Sequence, residues 1–180
     1  MLRRLPLFFS VFIGQIVIDQ WTKQLATANL KGHPAISWLG DSVRLQYATN
    51  EGAFLSLGAS LPPDVRYWIL TIGVGGLLLA LSIYSLTSKK VDMVQVGSYA
   101  LIASGGFSNW VDRARFGGSV VDFMNLGVGS SPWLRTGVFN VADIAILVGI
   151  GILFVQSWRE EKKQKALAAA AATQPPGPQA

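Results

Sequence analysis

Two aspartates at either end of one loop carry the first chemical suggestion in this chain. Asp122 follows Val120-Val121 and precedes Phe123, and Asp143 closes the run Phe139-Asn140-Val141-Ala142-Asp143, so both carboxylates have apolar sequence neighbours. Two carboxylates held a few ångströms apart cannot both ionise cheaply, and such a pair shares a proton near neutral pH. One member then accepts a proton from water while the other donates to the oxygen of a polarised carbonyl. That pairing hydrolyses amides with neither a metal nor a covalent intermediate.

Other chemistries find less support. The chain has no cysteine, which excludes a thiol nucleophile and a disulfide. Its single histidine, His33, sits beside Lys31 and Pro34 without a ligand pattern and reads as a solvated loop residue. A serine with Lys23 as base is conceivable, but no serine is selected by its position. Neither a metal nor a cofactor is expected, nor a nucleic-acid partner.

Each polar residue also has a plainer reading. Asn140 with an acid three positions later resembles a capping box at a helix start, which is an alternative role for Asp143. Asp122 reads alternatively as a loop turn, although the preceding valine pair suits a strand. Asp112 with Arg113 reads as an interfacial ion pair, with Asn109 one helical turn away. Asp19 and Lys23, at i and i+4, can neutralise each other. Convergence, not any one residue, separates the readings.

The elements that would bring these groups together are membrane helices. Of 180 residues, 51% are hydrophobic and only 14% charged, and the mean hydropathy is +0.40; a soluble domain carries about a quarter charged residues. Apolar runs predict four spans at 5–28, 67–86, 93–111 and 138–158, each near the roughly 20 residues that cross a bilayer. Charged groups at such a depth are costly and call for a partner, water or chemistry. The expected fold is an all-α membrane protein with a small β element, its single domain covering 1–165 and a disordered tail at 166–180. Arg3 and Arg4 before LPLFFSVFIGQIVI also resemble a secretory signal, but the long interval to Ala26-Thr27-Ala28 favours a retained helix.

Arg3, Arg4, Lys89, Lys90, Arg159, Lys162, Lys163 and Lys165 all fall on one side of a four-pass bundle, which predicts cytoplasmic termini and two outer loops. Asp19, Lys23, Asn109, Asp112, Arg113, Asn140 and Asp143 then meet at the outer face. In the loops, Val43 to Thr49 alternates like a short strand, Asn50-Glu51-Gly52 supplies a turn, and Ala53 to Leu57 suits an interfacial helix that covers the substrate. The glycine-rich stretch from Arg113 to Gly137 is expected to be irregular.

Five motifs occur in a telling order: Asp19-Gln20-Trp21-Thr22-Lys23, Asn50-Glu51-Gly52-Ala53-Phe54, Asn109-Trp110-Val111-Asp112-Arg113, Val120-Val121-Asp122-Phe123 and Phe139-Asn140-Val141-Ala142-Asp143. As a set they resemble bacterial lipoprotein signal peptidase, also called signal peptidase II, over most of the chain from Asp19 to Asp143. The resemblance implies an aspartic endopeptidase of the inner membrane, active near its periplasmic face. It implies cleavage of prolipoprotein signal peptides just before a diacylglyceryl-modified cysteine, inhibition by globomycin, and a monomer in contact with lipid.

The family's catalytic aspartates map onto Asp122 and Asp143, and its supporting residues onto Asp19, Lys23, Asn50, Asn109, Asp112, Arg113 and Asn140. Two departures stand out. Ser108 occupies a position where the family usually has glycine, and the interval from Asp112 to Asp122 is one residue longer around Gly117-Gly118, which threatens the placement of Asp122. From other classes, an ion or proton translocator would need polar positions running through to the cytoplasmic face, and a noncatalytic assembly protein would survive loss of either carboxyl.

Overall fold

The computed structural model describes residues 2–52, 60–62, 64–65 and 68–172. Among the described residues the fold has four α-helices, a π-helical stretch and three strands. Helix α1 spans Arg4–Leu30; strands β1 and β2 span Ile36–Trp38 and Val43–Asn50. A π-helical stretch, Trp68–Gly73, runs into α2, Val74–Thr87. Helix α3 spans Met93–Arg115, β3 Val120–Leu126 and α4 Val141–Ala172. The expected cover over Ala53 to Leu57 lies outside the described residues.

Among the described residues three segments are long and apolar enough to cross a membrane: Arg4–Leu30, Trp68–Thr87 and Val141–Ala168. Helix α3, expected as a fourth apolar span, is long enough at about 35 Å but too polar to qualify. Its position explains why. Helix α3 packs against α1, α2 and α4 and buries Ser98, Ser104, Ser108, Asn109 and Asp112, so its polar side chains face protein. The outer helices instead expose Ile13, Val17, Leu77, Leu79, Leu147 and Phe154, as lipid-facing surfaces do.

Helix α3 starts in a capping box. Asp92 accepts from the Gln95 backbone at 2.9 Å while its own N–H donates to the Gln95 side chain at 3.0 Å. Toward this end the bundle is apolar, with Phe8, Val91, Val96, Ala100 and Ala103 forming the core. Against α4, α3 approaches too closely for a side chain: a Cβ on Gly105 would lie 2.5 Å from the Ala142 carbonyl oxygen. Small residues permit such contacts between membrane helices. The indole of Trp110 donates to the Thr71 carbonyl at 2.8 Å, tying α3 to the π-helical stretch.

Helix α4 continues past its expected end at 158, through the alanine-rich stretch, to Ala172. Alanine has the highest helix propensity, which extends the helix into 166–172, where an unstructured tail was expected to begin. Residues 173–180 lie outside the description.

The strands form one antiparallel sheet in the order β1-β2-β3. Val43 pairs with Leu126 and Asn50 with Val120, with an irregularity between Leu45 and Ala48. Leu45 and Tyr47 pack with Phe123 against Ala26 and Leu30, which seats the sheet on the end of α1. Strand β1 was not expected, and the stretch from Arg113 to Gly137 is more regular than expected because β3 lies within it. Beyond β3 the loop folds back, bridging Met124 to Phe139 and Gly127 to Arg135.

Candidate active site

The C-terminal halves of α1 and α3, the start of α4 and strand β3 bring seven of the nine expected polar residues into one hydrogen-bonded cluster, which Asn50 and Arg113 join from its rim. Residues 19 and 23 are one turn apart on α1, and both face α3. The Lys23 ammonium lies 2.8 Å from Asp19 and 2.9 Å from Asp112, and donates to the side-chain Oδ1 of Asn109 at 2.8 Å. Its three donors are thereby used.

Asp19 and Asp112 have further donors. Asp19 accepts from Ser108 Oγ at 2.7 Å and from the Ala142 backbone at 2.8 Å, at the start of α4. Asp112 accepts from Gln20 Nε2 at 2.8 Å and from the Val121 backbone at 3.3 Å. These two carboxylates therefore fasten α1 to α4 and α3 to β3.

Asp122 and Asp143 are surrounded by amides instead. Asn140 Nδ2 donates to Asp122 at 2.7 Å, and Asn50 Nδ2 to its other oxygen at 3.1 Å. Asn109 Nδ2 donates to Asp143 at 3.0 Å. Asn140 also accepts from the Asp143 N–H at 3.0 Å while its own N–H donates to Asp143 Oδ2 at 3.2 Å. The capping reading of Asp143 is thus correct as geometry, and the cap is built into the cluster. Asn140 touches both carboxylates, one through its side chain and the other through its cap.

Burial pushes the Asp122 carboxyl up to about 7, assisted by the negative charge of Asp143 and opposed by the hydrogen bond from Asn50, the charge of Lys23 and the hydrogen bond from Asn140. Asp122 is 1% exposed. The longer interval around Gly117-Gly118 is taken up in a turn where both glycines have positive φ, 62° and 97°, so Asp122 still reaches Asn140. Arg113 bonds the Gly52 carbonyl at 2.6 Å and the Asn109 carbonyl at 3.4 Å. It braces the turn after Asn50 and meets neither Asp122 nor Asp143 by a hydrogen bond.

Sequence reasoning assigned no role to Gln20 and noted Ser108 only as a departure from the family's usual glycine. The Ser108 hydroxyl in fact accepts from Gln20 at 3.0 Å and donates to Asp19. The adjacency of Gln20 to Asp19 and of Ser108 to Asn109 was the available signal.

Residues 11–159 match the family model described as signal peptidase (SPase) II. The chain belongs to the signal peptidase II family. As a signal peptidase it is a protease, and its apolar helices make it a multi-pass membrane protein. The lipoprotein signal peptidase of Halalkalibacterium halodurans is 31% identical over 159 residues, spanning 88% of this chain and 96% of the relative. That of Actinobacillus succinogenes is 35% identical over 149 residues, spanning 82% and 87%. A bacterial membrane enzyme solved by the in meso method at 2.3 Å superposes with a TM-score of 0.70 at 18% identity, covering 87% of this chain and 90% of that one, and so shares the fold.

Proposed function

We propose that this signal peptidase is an aspartic endopeptidase that removes signal peptides from diacylglyceryl-modified prolipoproteins, cutting just before the lipidated cysteine. The observation that carries the aspartic mechanism is the contrast in partners: Lys23 binds Asp19 and Asp112 directly, whereas among the described residues Asp122 and Asp143 have only amide and backbone donors in contact. The names of the curated relatives support the lipoprotein substrate.

In this reading Asp122 and Asp143 share one proton. The ionised carboxylate removes a proton from water as its oxygen attacks the scissile carbonyl, and the protonated carboxyl donates to the carbonyl oxygen. The resulting diol collapses when a proton reaches the amide nitrogen, releasing the signal peptide and the new amino terminus. Asn109 and Asn140 orient the two carboxyls, Asn50 holds the outer oxygen of Asp122, and Asp19, Lys23, Asp112 and Arg113 hold the helix ends that carry them.

The same reading makes α3 the fourth span, with its polar face turned to the other helices, and places both termini in the cytoplasm, where the clusters of Lys and Arg lie. Residues 1–165 then form one domain in the bacterial inner membrane, with the dyad at the periplasmic end. A lipidated signal peptide reaches it by lateral entry from the bilayer. The enzyme acts as a monomer, with lipid around it, and globomycin competes for the dyad.

The test uses purified protein in lipid with a diacylglyceryl-modified prolipoprotein, beside Asp122→Asn and Asp143→Asn variants whose folding is checked. Cleavage before the modified cysteine that both substitutions abolish is the expected result. Persistent cleavage in the Asp122→Asn variant would transfer its role to Asp112, and inert wild-type protein would overturn the substrate.

A further inference from the structure

A second polar site lies away from the dyad, in the sheet and the loop beyond it. A cavity of about 290 Å³ is lined by Arg44, Gln46, Asn125, Ser130, Arg135 and Thr136, among others. Two guanidiniums meet one carboxylate here. Arg44 grips Asp41 through Nε at 2.5 Å and through Nη2, and Arg135 reaches the same carboxylate at 3.2 Å. Hydrogen bonds from Arg44 and then Ser37 hold the Asp41 carboxyl well below the usual carboxylate range, so it stays ionised and leaves one net positive charge.

Several donors around this cavity are unused. The Arg135 side chain is only 9% exposed. It donates to Asn125 at 2.8 Å, to the Gly129 carbonyl at 2.7 Å and to the Asp41 backbone. Its Nε has no acceptor among the described residues. Arg44 Nη1 and the Gln46 amide, both on the cavity wall, likewise donate no hydrogen bond among the described residues. Arg135 Nε is closed off from solvent, so the donors left open to a ligand are Arg44 Nη1 and the Gln46 amide, and together with the net positive charge they favour an anion.

The surroundings identify the anion's source. The loops that form the cavity expose Leu39, Val128, Trp133 and Leu134, with Trp133 92% exposed. Exposed apolar residues led by a tryptophan, on loops next in sequence to the lining residues of a cationic pocket in a membrane protein, match the headgroup layer and not open water. We propose that the cavity binds the phosphodiester of a phospholipid headgroup, with Arg44 and Gln46 as donors, Arg135 supplying positive charge, and Trp133 and Leu134 dipping toward the acyl chains. A lipid held there fixes the height of the sheet above the bilayer.

The full chain in neutral detergent, titrated calorimetrically with short-chain phosphatidylglycerol, should bind one lipid saturably. Gln46→Glu places a carboxylate in the cavity while leaving both arginines, and should weaken binding about tenfold; Gln46→Leu serves if the glutamate variant fails to fold. Trp133→Ser should weaken the lipid and leave inorganic phosphate unchanged, and Asp122→Asn should bind lipid as the wild type does. Lipid binding that ignores the Gln46 and Arg44→Gln substitutions would overturn the site. Inorganic phosphate binding as tightly as the lipid, with Trp133→Ser silent, would overturn the headgroup.

Discussion

Two pairs of carboxylates are buried in this bundle to nearly the same degree, Asp19 and Asp112 at 0% and 1% exposure and Asp122 and Asp143 at 1% and 6%, and they differ in what touches them. A lysine ammonium sits between the first two and cancels charge that burial would otherwise make prohibitive. The second two meet amides, which orient a carboxylate without neutralising it. Burial alone therefore does not mark a reactive acid; burial without a contacting cation does. The first pair uses its charge to join helices, and on the proposed mechanism the second retains its charge for a proton.

The contrast is broken most severely by removing a carboxyl from the second pair. Asp122→Asn and Asp143→Asn should each lower kcat/KM for prolipoprotein cleavage by about 10²- to 10⁴-fold while leaving thermal unfolding close to wild type, since an amide can still accept from Asn140 or Asn109. Next is Lys23→Met, which leaves Asp19 and Asp112 buried without their cation. It should destabilise the protein by about 3–5 kcal/mol, read from thermal unfolding in detergent, and Lys23→Met with Asp112→Asn should recover part of that loss.

The pH dependence sharpens the contrast without a mutation. With the Asp122 carboxyl raised to about 7, the shared proton is present below that pH and lost above it, so kcat/KM should fall about tenfold per unit on the alkaline side. The same shift sets a sign for stability. The folded state holds a proton on Asp122 that the unfolded state has released, so this group's contribution declines as pH rises from about 4 to about 7. Asp122→Asn should flatten both profiles. Smallest is Ser108→Ala, which removes one donor to Asp19 but leaves Lys23 in place and should cost about 1 kcal/mol in unfolding, with no change in the pH profile.

Much of the site was legible because helical spacing is rigid: Asp19 and Lys23 at i and i+4, and Asn109 with Asp112 at i and i+3, must share a face. What was not legible depended on contacts between distant segments. Gln20 follows Asp19 and looks like an ordinary helix residue until its amide reaches Asp112 on another helix. Strand β1 is too short, at Ile36–Trp38, to show a period, and forms because β2 offers it an edge. The polarity of α3 likewise defeats a hydropathy window, since a helix enclosed by three others is not selected for lipid contact. In the tail, propensity decides: residues 159–168 are exposed, yet the alanine-rich stretch, which the sequence allows to prolong the last helix, carries α4 to Ala172.

The cap at Asn140 and Asp143 has one further consequence, for biogenesis. The residue that begins the last helix also aligns both acids, so the reactive geometry arrives only when that helix docks, after every other span has emerged from the ribosome. On the proposed mechanism a half-inserted chain has no hydrolytic power, and a newly made protease cannot cut its neighbours before it is complete.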